Sequence, residues 1–136
     1  MKTITNASIA LLLLLAFSVS AQQTVPDKNF AISINNQLYN TNDSISKEEI
    51  LKISFAQTQI FNGSDRTKQM LQYFQYTISI PTLNGVWKGG SMFPDNQKKF
   101  LDLIPKMAEG DAVILDSFRG ESADAAMPKQ IVLYIK

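Results

Sequence analysis

Large apolar side chains at Phe30, Ile32 and Ile34 fall on every second position, the period that sends alternate side chains of a strand to one face. Asn35-Asn36 follows with side chains that tolerate left-handed backbone, so Gln37-Leu38-Tyr39 is expected to return as a short hairpin arm. Ser46-Lys47-Glu48-Glu49 has the form of a capping box and starts a helix of at most one turn. Leu51, Ile53 and Phe55 then alternate with polar neighbours and predict a strand running towards Gln59. Asn62-Gly63-Ser64-Asp65 is a turn cluster. Phe74, Tyr76, Ile78 and Ile80 alternate with Gln75, Thr77 and Ser79, the clearest half-buried strand of the chain, which Pro81 stops.

Asn84-Gly85 and Gly89-Gly90 bracket Val86-Trp87-Lys88 as a short strand or an ordered loop. Phe100, Leu103, Ile104 and Met107 stand at helical spacing, with Pro94 and Asp95 as first-turn and capping residues and Pro105 ending the regular helix near Ile104. Glu109-Gly110-Asp111 turns the chain into Ala112-Val113-Ile114-Leu115, a strand apolar on both faces, and Ile131-Val132-Leu133-Tyr134-Ile135 repeats that style; both are expected to be central. Residues 119–128 between them are polar and small and read as an exposed loop. The sum is about six or seven short strands and one short helix, a mainly β chain of the β-sandwich kind with a helical connection.

The first residues carry a different pattern. Met1-Lys2 is a basic start, an apolar run centred on residues 11–15 follows, and Val19-Ser20-Ala21 is a small-residue cleavage pattern. Residues 1–21 are therefore expected to be a secretory signal peptide, 22–28 a flexible tail and 29–136 the domain. The apolar run falls short of the ~20 residues that cross a bilayer. No cysteine follows it for acylation, so the expected destination is the periplasm or the outside of the cell, with no lipid anchor and no transmembrane segment after cleavage.

Composition removes most enzyme chemistry. The chain has no cysteine and no histidine, which excludes thiolate nucleophiles, disulfides, imidazole bases and every centre those residues ligate. Removing Lys2 with the signal leaves 12 basic and 12 acidic residues, a neutral domain unlike a nucleic-acid binder. Lys98-Lys99 with Lys106 reads as a solvated helix face.

The remaining polar groups are weak candidates for chemistry. Asp111 and Asp116 flank one strand, but an odd separation puts them on opposite faces, whereas a glycosidase needs two acids converging on one substrate. Glu48-Glu49 and Asp95 lack calcium-loop spacing, so no metal and no cofactor are expected. Ser44 and Ser46 beside Lys47 read as cap or turn hydroxyls rather than a nucleophile pair. The Asn42-Asp43-Ser44 and Asn62-Gly63-Ser64 triplets match the glycosylation pattern, which recurs by chance. Trp87, the only tryptophan, reads either as core or as a contact residue. Loops on a rigid scaffold carry most binding residues, so the candidate partner contacts are Trp87, Lys88, Arg119 and Glu121, with no catalytic residue.

The order of Phe30-Ala31-Ile32-Ser33-Ile34-Asn35, Ser46-Lys47-Glu48-Glu49, the strand at 74–80, Gly90-Ser91-Met92-Phe93-Pro94, Glu109-Gly110-Asp111 with the strand after it and the segment 128–136 resembles the C-terminal domain of the gliding-motility protein GldM, or PorM, across nearly all of 22–136. That resemblance implies an immunoglobulin-like β-sandwich in the periplasm of a Bacteroidetes bacterium. It implies a docking role in type IX secretion or gliding, and brings no catalytic residue. The family places a membrane helix and several domains before this one; here a signal and one domain are expected, so docking is the part of the role that transfers. The expected function is a non-enzymatic interaction module whose partner is an envelope protein, possible oligomers left open. The alternative is a periplasmic carbohydrate-binding or hydrolase-inhibitor protein that uses Trp87 and the 119–128 loop.

Overall fold

A computed structural model of the chain describes residues 29–136. The expected signal peptide and tail, 1–21 and 22–28, lie outside the described residues. In chain order the elements are β1 (Phe30–Ile34), β2 (Gln37–Asn40), β3 (Ser44–Ile45), α1 (Lys47–Ile50), β4 (Gln59–Asn62), β5 (Thr67–Ile80), β6 (Gly85–Gly90), α2 (Pro94–Leu103), β7 (Ala112–Gly120) and β8 (Gln130–Ile135). Single 3-10 turns occupy Phe55–Gln57, Pro81–Leu83 and Ile104–Lys106. The fold is mainly β with one short helix of more than a single turn, as the hydrophobic pattern predicts.

The eight strands form one sheet in the order β2-β1-β4-β5-β7-β8-β3, with β6 paired to β5 off that path. All neighbours are antiparallel except β3 and β8, which run parallel. A flat sheet in this order would hold β2 and β3 about 29 Å apart, six spacings of about 4.8 Å. They are joined by Thr41, Asn42 and Asp43 alone, a link that spans at most about 14 Å fully extended. The sheet must therefore curl until its ends meet. Asn42 N donates to Val132 O at 2.7 Å, Val132 N to Thr41 Oγ1 at 3.0 Å, and Lys136 N to Ile45 O at 3.1 Å, which fastens the closure.

The 14-residue β5 makes the curl possible. Its first residues, 67–70, pair β4, while 75–80 pair β6 on the same edge and 71–79 pair β7 on the other. Register shifts between Leu71, Tyr73 and Gln75 bend the strand where it passes from one flank to the other. The two flanks of the curled sheet enclose a single core.

Helix α2 seals that core. Pro94 sits at its first positions, where a missing N–H is harmless, and Phe100 and Leu103 face inward, followed by Ile104 and Met107. The Phe100 ring meets Phe55 at 5.3 Å and Tyr76 at 5.1 Å, both near edge-on. Gln97 Oε1 accepts from Phe55 N at 2.9 Å, tying the helix to the turn before β4.

Several expectations are corrected. The structure has eight strands rather than six or seven. No strand covers residues 51–58: α1 ends in tight turns, Lys52 N to Glu49 O and Ile53 N to Ile50 O, and Leu51 is exposed while Ile50 is buried. Asp95 is not the cap of α2; Phe93 holds that position with no side-chain bond. The strand expected at Phe74 begins at Thr67, and β7 extends through Arg119 to Gly120 because Tyr73 and Leu71 of β5 continue to pair it. The loop is thus 121–129. Strands β7 and β8 are central, but only one face of each is sealed: Val113, Leu115, Ile131 and Leu133 are buried, whereas Ile114 and Val132 are half-covered and Tyr134 is exposed.

Candidate functional site: the open edge of β6

Strand β6 reaches β5 through a hairpin in which Asn84 adopts φ 49°, the left-handed geometry an asparagine tolerates. Ser91 N donates to Phe74 O at 2.8 Å. In an antiparallel ladder the bonded direction alternates, so Gly89, Trp87 and Gly85 also turn their backbone groups to β5, and Val86, Lys88 and Gly90 turn theirs away. Among the described residues no strand lies on that side of β6. Gly90 O is taken by Asn96 Nδ2 at 2.9 Å. Among the described residues the outward N–H and C=O of Val86 and Lys88 have no partner.

Side chains alternate across the same strand. Val86 and Lys88 stand on the outer face of the sheet, and Trp87 turns inward, half-buried against the core. Its indole lies on Gly85, where any β-carbon would overlap the ring. Between the β6 edge and α2 runs a cleft of about 330 Å3 lined by Tyr76, Trp87, Lys88, Lys99, Asp102 and Leu103. Lys99 and Asp102 thus share its wall, while Lys88, on the outer face, also borders a second cleft with Gln75, Thr77 and Asp116. Tyr76 is buried and its Oη donates to Asn96 O at 3.3 Å; burial pushes its hydroxyl above the usual tyrosine range, so it stays neutral.

No family model, curated protein or solved structure matches the chain.

The four candidate contacts do not form one site. Trp87 and Lys88 belong to the β6 edge. Arg119 pairs with Tyr73, four positions along β5 from the Thr77 that faces Lys88, and on the opposite side of β5. That separation is about 16 Å from strand geometry. Arg119 lies over the Tyr73 ring at 5.4 Å, a cation–π contact, and shares a separate cleft with Glu121, Phe118 and Met127.

The polar candidates resolve as local fasteners. Ser46 Oγ accepts from Glu49 N and Glu49 Oε2 accepts from Ser46 N, each at 3.1 Å, a complete capping box. Asp111 Oδ2 accepts from Ala108 N at 2.8 Å, and Asp116 Oδ1 from Ser117 Oγ at 2.9 Å. Asn62 is buried, its Oδ1 holding Ser64 N at 3.0 Å. Among the described residues no three acids gather as a metal site would require, and no helix is long and apolar enough to cross a membrane.

One surface escaped the sequence pattern. Met92 and Phe93 are each 65% exposed and rim a cleft of about 430 Å3 with Phe55, Leu71 and Pro94. The signal was available, since two large apolar residues between Gly90 and Pro94 have no periodic partners to pack with.

Proposed function

We propose that the protein is a non-enzymatic interaction module of the cell envelope. The observation that carries this reading is the exposed pair Met92 and Phe93, which lie together on the rim of the cleft they form with Phe55, Leu71 and Pro94. Among the described residues seven large hydrophobic side chains are exposed; Leu83 and Val86 are two more, at the hairpin end of β6, about 17 Å of strand away. An exposed apolar pair at the rim of a cleft marks a surface that another molecule covers. The export pattern of residues 1–21 suggests the compartment, and the resemblance to the C-terminal domain of the GldM family suggests docking in type IX secretion or gliding as the setting.

Affinity purification of the tagged protein from its native envelope after mild crosslinking, with mass spectrometry, tests the reading. The wild type is compared with a double variant Met92→Ser, Phe93→Ser, whose side chains are exposed enough for the fold to persist. Envelope proteins enriched with the wild type and lost with the variant are expected, type IX or gliding components among them. Identical recovery from both, or no enrichment above control, would overturn it.

A further inference from the structure

The amide side chains of the fold divide by what they hold. Asn62, Gln75, Asn96 and Gln97 are each tied down by a hydrogen bond. Asn35, Asn36, Gln57 and Gln59 make none among the described residues, and all four line one cleft of about 300 Å3. Strand register builds its floor. Ser33 pairs with Gln59 and Gln59 with Met70, so these side chains form a row across β1, β4 and β5 on the face turned away from Ile32 and Ile60 of the core. The Asn35-Asn36 turn and residues 52–58 complete the lining, the latter bringing Lys52 and Ser54 beside Gln57. Lys52 is exposed and makes no ion pair among the described residues. No carboxylate lines the cleft: Glu48, four positions before Lys52, borders none of it, and Glu49 is engaged by Ser46 and Tyr39.

This lining selects a ligand. An amide carries both donors and an acceptor and a hydroxyl can do either, so four free amides with Ser33 and Ser54 match a ligand whose groups also donate and accept, as the hydroxyls of a sugar ring do. Met70 offers the apolar contact for ring C–H groups. One ammonium without a carboxylate suits a single negative charge and leaves the ammonium of a cation or zwitterion unpartnered. Small-molecule sites span about 300–1,000 Å3, and the cleft, at the lower end, fits one sugar unit. We propose that it binds a hexuronate, a sugar unit bearing one carboxylate, with Lys52 on the carboxylate and the amides on the hydroxyls. The site goes beyond the interaction-module reading and does not rest on it. Phe55 and Ala56 line the Met92 cleft, whereas Ser54 and Gln57 line this one, and neither Trp87 nor the 121–129 loop takes part.

The probes are galacturonate and glucuronate, with galactose, acetate, inorganic phosphate and triglutamate as controls. Nuclear magnetic resonance of the isotope-labelled protein reads the side-chain amides of Asn35, Asn36, Gln57 and Gln59 directly. The uronates should shift these amides saturably and galactose about tenfold more weakly, while acetate, phosphate and triglutamate should not saturate at the same concentrations. Lys52→Gln should weaken the uronates about tenfold, to the level of galactose, and remove the salt dependence of binding with an unchanged Tm. Gln57→Ala keeps the ammonium and should weaken uronate and galactose alike, so the charge and the hydroxyl contacts each have their own variant. Tetragalacturonate distinguishes the sources. Binding at least as tight as that of the monomer assigns the site to a unit of an acidic polysaccharide, and weaker binding to the free sugar acid. Shifts confined to other residues, a control other than galactose binding as tightly as a uronate, undiminished affinity in Lys52→Gln, or no saturation by either uronate would overturn the proposal. Capture of envelope proteins through Met92 and Phe93 is read separately, so each reading can fail without the other.

Discussion

Replacing Phe100 by alanine probes the joint between helix and sheet. Phe100 is fully buried, and its ring stands edge-on to Phe55 and Tyr76 at interplanar angles of 64° and 73°. Truncating a buried phenylalanine costs about 3–5 kcal/mol in lost transfer energy and unfilled cavity. The two ring contacts supply about 0.5–1.5 kcal/mol each of the specific part. Closure of the cavity is hindered because Gln97 and Asn96 still pin the helix to Phe55 and Tyr76 through their hydrogen bonds. Against a total stability of about 5–15 kcal/mol, such a loss leaves a folded but fragile domain whose Tm falls by about 12 °C or more. Urea titration followed by circular dichroism and by Trp87 emission measures it, with the half-buried neighbour Leu101→Ala as the reference. A cost for Phe100→Ala below about 1 kcal/mol, or no larger than that of Leu101→Ala, would refute the view that this ring fastens the helix.

Two further perturbations test local features. Asn36 sits at φ 64° in the β1–β2 hairpin, so Asn36→Val should cost about 1–2 kcal/mol while Asn36→Gly is neutral or better, read from urea midpoints. The Glu49 carboxyl is held below the usual glutamate range, first by the Ser46 backbone N–H and also by the Ser46 and Tyr39 side chains. A depressed folded value stabilises the fold above the ordinary range and is lost as pH falls through it. The Tm of Glu49→Gln should therefore decline less steeply on acidification below about pH 4.3 than that of the wild type; parallel Tm profiles would contradict the capping assignment.

Local chemistry explains which parts of the fold were legible. The Asn35-Asn36 hairpin, the capping box, the β5 alternation and the stop at Pro105 are decided by residues within a few positions of one another, and each stands as the sequence predicts. Residues 51–58 misled because Leu51, Ile53 and Phe55 mimic a strand, whereas burial there is set by Gln97 and Phe100, over 40 residues away, which anchor Phe55 in a 3-10 turn. The extension of β7 through Arg119 depends likewise on its β5 partners. At the candidate site Trp87 and Lys88 could be singled out from turn signals around them. That Arg119 and Glu121 lie elsewhere, and that among the described residues β6 has no strand on its far side, are facts of strand order, which alternation along one chain does not encode.

The fastening of β2 to β3 has a consequence in time. Thr41 Oγ1 closes the sheet by accepting from Val132 N, a residue 91 positions later. Bringing groups so far apart in sequence together costs about 4 kcal/mol of chain entropy before any contact rewards it. A chain that emerges N-terminus first, from a ribosome or across a membrane, exposes Thr41 well before Val132. Through that interval β1 and β2 can form their hairpin, yet the β3 segment has no β8 to lie against. Closure is thus a late event, and a nascent chain remains an open sheet, vulnerable to proteases and to foreign strands, until residue 136 has emerged.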